Sequence, residues 1–393
     1  MDVSYTPAQE TLRREVRAWL ARNLARDGDA RSVEYGDPSR VPAAKAWQRT
    51  LYQAGWLAMQ WPREHGGRGA DLMTQTIVDD ELVRARAPGL IGILGVEMIG
   101  PTLIEWGTPE QKARFLAPML TADEIWCQGY SEPGSGSDLA SLRTRAERRG
   151  DVLVVNGQKV WTSYAQFADW MFCLVRTDPQ APKHAGITYL LVDMKAPGIT
   201  VRPLVQMTGD AGFNEVFFED VVVPVANVVG RLGCGWEVAN STLRHERTML
   251  GSSARTQQLF GELLRLARTR RRAGRRPADD PVVRQRVAGL AARVEAMRLH
   301  ALRQLTDTLH GRPPGLAGGV TKLVTTELNH EIARAALAVL GSYGPLAAGA
   351  RGAVAHGLWP YELMFTLGMI IGGGTSQIQK NIISERGLGM PRQ

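Results

Sequence analysis

The apolar residues of this 393-residue chain repeat with two different periods, and the period switches twice. Leu12, Val16 and Leu20 recur at one-turn helical spacing, and Trp47, Leu51 and the run from Met73 to Leu82 supply further helical faces. From about Glu124 the texture is short and β-rich: DVLVV at 151–155, WMFCLV at 170–175, GITYLLVD at 186–193, ITVRPLV at 199–205 and NEVFFEDVVV at 214–223. After Gly235 the helical period returns, with Val283, Val287, Leu290, Val294, Met297, Ala301 and Leu305 on one stretch and Leu323, Leu328, Ile332 and Val339 on the next. A period near 3.6 buries one stripe of a helix and a period of two buries one face of a strand, so each stretch is committed to one type of element. The chain is therefore expected to be an α+β multidomain protein. It would comprise an N-terminal α-helical domain over 1–125, a middle antiparallel β domain over 126–232 and a C-terminal four-helix bundle over 233–393. Strands without intervening helices argue against a doubly wound sheet.

Local signals sharpen these boundaries. Thr6-Pro7 reads as an N-cap followed by N1, and Thr108, Pro109 and Gln111 as a capping box. REHGGRGAD at 63–71 separates two helices, Asn156-Gly157 carries a hairpin signal, and GRLGCG at 230–235 reads as a domain linker rather than a dinucleotide loop.

At 44% hydrophobic and 22% charged the chain has ordinary globular composition, which excludes wholesale disorder, collagen and coiled coil. No run approaches the roughly 20 apolar residues that span a bilayer, and the first residues show no basic-then-apolar leader pattern. Cys127, Cys173 and Cys234 lie far apart and no CxxC or HExxH spacing exists, so we expect a cytoplasmic protein without a structural disulfide or metal. The net charge of +8 is concentrated in the seven arginines between Arg265 and Arg276. Aromatic residues that could stack on bases are missing there, which speaks against nucleic acid. A solvated Arg-rich helix end and recognition of a polyphosphate ligand both remain open.

Three polar runs carry chemistry. QGYSEPGSGSD at 128–138 offers backbone N–H groups and hydroxyls to a flat polar ligand or phosphate. QKVWTSYA at 158–165 sets an aromatic wall beside hydroxyl donors. GGGTSQIQK at 372–380 places glycines before Thr375, a helix start of the kind that attracts anions. Singly, these are a polar turn, an aromatic anchor and a helix cap.

Taken in order, YSEPGSGSDLASL, NGQKVWTS, NEVFFEDVVVP, HER, VLGSYG and GTSQIQ make the chain resemble the acyl-CoA dehydrogenase family over essentially its whole length. The resemblance implies the same helical, β, helical order, with FAD between the β domain and the C-terminal bundle and a neighbouring subunit completing the adenine end. It implies flavin contacts at Gln128, Tyr130, Ser131, Trp161, Thr162 and Ser163. Ser137 would lie near the CoA pantetheine, Thr375 and Gln377 at the adenosine half, and Arg270 at the pyrophosphate of the adjacent subunit's FAD. The reaction implied is α,β-dehydrogenation of an acyl-CoA thioester: a carboxylate takes the α-proton as the β-hydride leaves for the flavin. A backbone N–H at Gly373 would help to polarise the thioester carbonyl, and electrons would pass to an electron-transfer flavoprotein.

The sequence departs from the pattern at the base. Most members of the family carry a Glu immediately before the GTSQ run, where Gly373 stands. A subset places it on the first long C-terminal helix beside an Arg, matched here by Glu246 and Arg247. Glu246 is thus the expected base, with Arg247, Gly373 and Gly374 lining the substrate site, and the missing side chain at Gly373 leaves width for a bulky or branched acyl group. Glu362 and Glu385 match no base position. Ala273 and Ala338 replace an aromatic residue and a Gln that such chains offer to a neighbour's cofactor, so a homo-oligomer or a mixed oligomer with a related subunit is expected. A flavin oxidase or N-hydroxylase on the same fold and a non-catalytic subunit of a mixed assembly are the alternatives.

Overall fold

A computed structural model of the chain describes residues 5–24, 37–250, 253–272, 274–312 and 315–391, with 247–250 described by their backbone alone. The contacts divide it into two compact units. One holds Ala18–Val78 and Arg86–Glu246; the other holds the residues through Arg17, Asp79–Ala85 and everything from Arg247 onward.

The N-terminal region is helical: α1 (Pro7–Asn23), α2 (Val41–Gln53), α3 (Leu72–Arg84), α4 (Gly100–Trp106) and α5 (Pro109–Leu120), with a π-helical turn, Gly95–Ile99, running directly into α4. The start signals are used as expected. Thr6 Oγ1 accepts the Gln9 N–H while Thr6 N–H donates to Gln9 Oε1, and Thr108 and Gln111 form the same reciprocal pair at α5. Glu81 on α3 is buried and takes Arg13 and Arg17 of α1 at 3.1 and 2.6 Å. Burial would raise its pKa, but the two arginine hydrogen bonds outweigh it and the net shift is downward.

The middle region forms an eight-stranded sheet from β1 (Trp126–Gly129), β2 (Arg145–Arg149), β3 (Val152–Ser163), β4 (Trp170–Arg176), β5 (Ile187–Asp193), β6 (Ile199–Leu204), β7 (Phe213–Pro224) and β8 (Val228–Val229). The order is β6-β7-β3-β2-β4-β5-β8, with β1 on β4. Pairing is antiparallel except for β1 with β4 and a single residue pair between β2 and β4. Cys127, Leu153, Val155, Met171, Cys173, Val175, Leu190, Val192, Val216 and Phe218 alternate inward to make one core. Helix α5 is fixed to the sheet by aromatic edges: Phe115 lies 5.3 Å from Trp126 and 4.8 Å from Trp170.

Asn156-Gly157 does not turn the chain. Strand β3 runs straight through it, the β2–β3 turn falls at Gly150, and Gly157 sits at a register break against β7. Its φ is 150°, and a Cβ there would stand 2.6 Å from Thr144 Oγ1. The glycine is demanded by a bulge and a close approach, not by a hairpin.

The C-terminal region comprises α6 (Gly235–Leu250), α7 (Ser253–Thr269), α8 (Pro281–Leu309), α9 (Ala317–Leu340), α10 (Leu358–Ile371) and the short α11 (Ser376–Ile382). Helices α7 to α10 make the bundle. Leu263, Leu290, Val294, Met297, Leu328, Ile332, Ala336, Val339 and Trp359 are its centre.

Candidate active site

Two of the polar runs are joined by a buried ion pair. Lys159 of β3, fully buried, donates to Glu132 Oε1 at 2.8 Å and to the Tyr130 carbonyl at 3.1 Å. Glu132 also accepts the N–H groups of Arg143 and Thr144 at 2.6 and 2.8 Å. Three hydrogen bonds from the chain itself hold this carboxylate, one on Oε2 and two on Oε1. Burial would raise the Glu132 pKa; Lys159 and the hydrogen bonds overturn that and lower it. The Val160 N–H donates to the Ser131 carbonyl at 2.9 Å, so Ser131 is held directly beside the strand that carries Trp161. Gln128 and Tyr130 precede it on and just after β1, while Ser137 lies exposed on the loop.

At Trp161 the strand is irregular. The register with β7 breaks between Lys159 and Thr162, and Trp161 has φ 59°, a left-handed conformation rare for an aromatic residue. The bulge turns the indole outward: Trp161 is 59% exposed inside a strand whose neighbours Val160 and Thr162 are buried, and it meets Phe213 edge-on at 6.0 Å. Thr162 Oγ1 and Asn214 Oδ1 are buried without a hydrogen-bond partner among the described residues, although the Asn214 amide donates to the Thr162 carbonyl. An outward aromatic plate, a strained backbone and orphaned polar atoms together mark a place shaped for a flat polar ligand. Ser163 closes the strand, partly buried.

Glu246 stands on α6, partly buried. One turn earlier Thr242 is locked in place, with its hydroxyl 3.0 Å from Thr102 Oγ1 of α4 and 3.1 Å from the Tyr189 hydroxyl. Burial raises the Tyr130 phenol well above its ordinary range. Tyr189 and the Glu246 carboxylate add to this, which puts Glu246 within electrostatic reach of the QGYSEPG run. Burial and Arg244 together hold the neighbouring His245 below its usual range. The side chain of Arg247 and all of Ala273 lie outside the described residues.

The remaining expected site residues belong to the other unit. Gly373 and Gly374 have φ of 63° and 91°. Lys322, fully buried on α9, donates to the carbonyls of Ile370 and Gly374 at 3.0 and 2.6 Å and so clamps both ends of the glycine loop. Thr375 caps α11 by accepting the Ile378 N–H, with Ser376 Oγ and Gln379 Oε1 buried and unpartnered among the described residues, and Gln377 exposed. Arg270 lies over the Tyr343 ring at 4.9 Å, and the Arg272 guanidinium reaches the carbonyl of the exposed Ala338. Glu362 is buried and doubly bonded to Arg255 at 2.8 and 3.1 Å. Glu385 falls on the π-helical turn Ile383–Gly387.

Sequence reasoning missed Lys159, Glu132, Asn214 and Lys322. Only Lys159 left a signal: a Lys directly before the apolar pair Val160-Trp161 in a strand run needs a partner if it turns inward. The burial of Thr162, Asn214 and Lys322 depends on bulges and loop paths that no local pattern announces.

Comparison with known proteins covers the whole chain. The family descriptions "Acyl-CoA dehydrogenase, N-terminal domain", "middle domain" and "C-terminal domain" match residues 6–123, 127–221 and 233–388. The acyl-CoA dehydrogenase IpdE1 of Mycobacterium tuberculosis is 42% identical over 391 residues, 98% of each chain. Acyl-CoA dehydrogenase FadE26 of the same organism is 36% identical over 403 residues, covering 100% of this chain and 99% of its own. Among solved structures, the Tcur3481-Tcur3483 steroid ACAD matches with a TM-score of 0.88 and 34% identity over the full length of both chains. The ChsE4-ChsE5 complex from Mycobacterium tuberculosis matches at 0.85 and 36%, again over the full length of both.

Proposed function

This chain belongs to the acyl-CoA dehydrogenase family, and we propose that it dehydrogenates a bulky, ring-bearing acyl-CoA with FAD as cofactor, Glu246 as base and an electron-transfer flavoprotein as electron acceptor. The observation that carries the flavin reading is the bulge of β3: Trp161 outward at φ 59°, Ser163 beside it, and the orphaned oxygens of Thr162 and Asn214 beneath. Gln128, Tyr130, Ser131, Trp161, Thr162 and Ser163 would hold the isoalloxazine end, Thr375 and Gln377 the adenosine end, and Arg270 a neighbour's pyrophosphate. When bound, FAD supplies the two-electron acceptor for the hydride that leaves the β-carbon.

The α-proton goes to a carboxylate of the chain. Gly373 has none, and Glu362 is committed to Arg255. Glu246 is partly buried, on a helix locked at Thr242, and its charge is felt at the Tyr130 phenol. Loss of the α-proton to Glu246 and of the β-hydride leaves an enoyl-CoA. The Gly373 N–H, on a loop clamped by Lys322, is a preorganised donor for the thioester oxygen as negative charge develops there. Ser137 and Gly374, with Arg247, would line the path of the CoA ester.

Two lines of support favour a bulky acyl group. Gly373 puts no side chain beside the acyl group, and a full-length structural relative is named a steroid ACAD. The named pairs Tcur3481-Tcur3483 and ChsE4-ChsE5 support a mixed oligomer. No helix among the described residues is long and apolar enough to cross a membrane, and the dispersed, buried cysteines suit a reducing cytoplasm. The deciding experiment is anaerobic flavin reduction by a panel of linear, branched and ring-bearing acyl-CoAs. Bleaching strongest with ring-bearing esters is expected; no bleaching with any ester, or best rates with short linear ones, would refute the assignment.

A further inference from the structure

The π-helical turn ahead of α4 carries one ionisable side chain on an otherwise apolar segment. Leu94, Val96, Met98 and Ile99 are at most 7% exposed. Glu97 alone keeps part of its surface open, and among the described residues neither a hydrogen bond nor an ion pair satisfies it. Burial by itself raises its carboxyl pKa, with no neighbouring charge contributing. It is the one side chain of this turn that an incoming group can still reach. Single π-helical turns recur at functional sites, because the inserted residue re-aims the side chains around it.

The packing of α4 says which site. Trp106 and Val238 both lie against Gly230, Thr102 is hydrogen-bonded to Thr242, and Glu105 accepts from Ser241. Residues 102 to 106 therefore descend against 242 to 238: α4 runs antiparallel to α6. Carried one turn further, this register sets the turn holding Glu97 and Met98 against the turn of α6 that holds Glu246. Glu97 is the one polar side chain of that turn, and Val96, Met98 and Ile99 around it are closed to solvent.

We infer that Glu97 determines specificity: it lines the acyl pocket and hydrogen-bonds a ketone or hydroxyl oxygen carried on the ring system of the acyl group. The inference rests on the dehydrogenase reading above. A pocket that left this carboxyl facing only hydrocarbon would strand a polar group, so the substrate that fits best brings an oxygen to it. A neutral carboxyl can donate to a ketone, and either protonation state can serve a hydroxyl.

The test uses the holoenzyme as it assembles and two probes, cyclohexylpropanoyl-CoA and its ring-ketone counterpart, oxocyclohexylpropanoyl-CoA. The quantity read is the ratio of kcat/KM for the ketone to that for the hydrocarbon. The same ratio is read from dissociation constants in a Glu246→Gln background, where binding proceeds without turnover. The wild-type ratio should favour the ketone. Glu97→Leu should lower it at least about ten-fold, the share of one hydrogen bond. Glu97→Gln, whose amide still donates, should keep most of it. Glu97→Met, unbranched like Glu, serves if the Leu variant fails to fold. A wild-type enzyme that reduces its flavin with both probes but shows no preference, or variants with an unchanged ratio and a raised melting temperature, would reduce Glu97 to a buried carboxyl without a role. If neither probe bleaches the wild-type flavin, the functional reading falls first and takes this one with it.

Discussion

At the scale of single residues, the loop and strand of the candidate site are held together by a buried ion pair. Lys159 and Glu132 join the EPGSGSD loop to the strand of Trp161, and both are buried. Removing one partner of such a pair leaves an uncompensated charge and costs about 3–5 kcal/mol. Lys159→Met should therefore lower the melting temperature sharply at neutral pH. Because the folded Glu132 pKa is lowered, the stability it contributes is present above its unfolded pKa and is lost as pH falls through the folded one. The gap between wild type and Lys159→Met should shrink through that acid window; calorimetry showing a constant gap would contradict the pairing. Glu246→Gln keeps shape and removes basicity. It should retain ligand binding yet slow flavin reduction at least about 100-fold, the low end of general-base effects. Wild-type reduction rates in stopped flow would remove Glu246 from the mechanism. Returning a Glu to position 373 is less simple than the sequence suggests. At φ 63° a side chain is strained, by roughly 1 kcal/mol relative to glycine, so Gly373→Glu should favour slimmer acyl groups and also melt lower. The sequence argument for Glu246 rests on a vacancy at one motif and a Glu-Arg pair at another that point the same way. Lys322 was not legible, because its burial is set by two carbonyls of a loop some fifty residues away.

At the scale of elements, strand β3 decides what the active site can hold. Its length was hidden because Asn156-Gly157 imitates a hairpin. The dipeptide is local, whereas the reason for this glycine is the approach of Thr144, just ahead of β2, a partner no short-range pattern reveals. The second bulge, at Trp161, was equally invisible. The adjacent Val160 and Trp161 do not say which of them faces out, and the broken register against β7 exposes the indole. Helix starts, by contrast, were readable residue by residue, since Thr6 with Gln9 and Thr108 with Gln111 are complete within four positions. Gly157→Ala tests the bulge. The added Cβ would fall 2.6 Å from Thr144 Oγ1 and 2.7 Å from its Cα, so backbone must move. Overpacking of this kind costs about 1–3 kcal/mol. The variant should be destabilised and release FAD more readily, as the shift propagates along the strand to Trp161. Full FAD retention with unchanged melting would mean the two bulges are independent.

At the scale of the whole molecule, the order helix, sheet, helix was legible because hydrophobic period is a property of long stretches and survives local irregularity. Partner choice is written more faintly, in what the chain offers to a neighbour. Arg270 rests over Tyr343 inside its own chain, and Ala338 presents a bare methyl where such chains often carry a Gln. An arginine stacked at home must leave its ring before it can reach a neighbour's pyrophosphate, and that departure subtracts from the affinity it confers. A chain with such a donor surface should give weak adenine-side contacts to another copy of itself, while its own Trp161 and Ser163 side still awaits a good donor. The expected outcome is an oligomer that, purified alone, carries less than one FAD per chain and whose melting temperature rises with added FAD. Saturation at about 100 times the dissociation constant contributes about 2.7 kcal/mol. Co-expression with a related subunit that supplies the missing contacts should raise FAD content to one per competent interface and make added FAD nearly irrelevant to melting. Arg270→Ala should reduce FAD on the partner's side without changing assembly, as read by light scattering with released-FAD fluorescence. A stable monomer fully loaded with FAD would overturn the mixed assembly, since the cofactor would then need no neighbour.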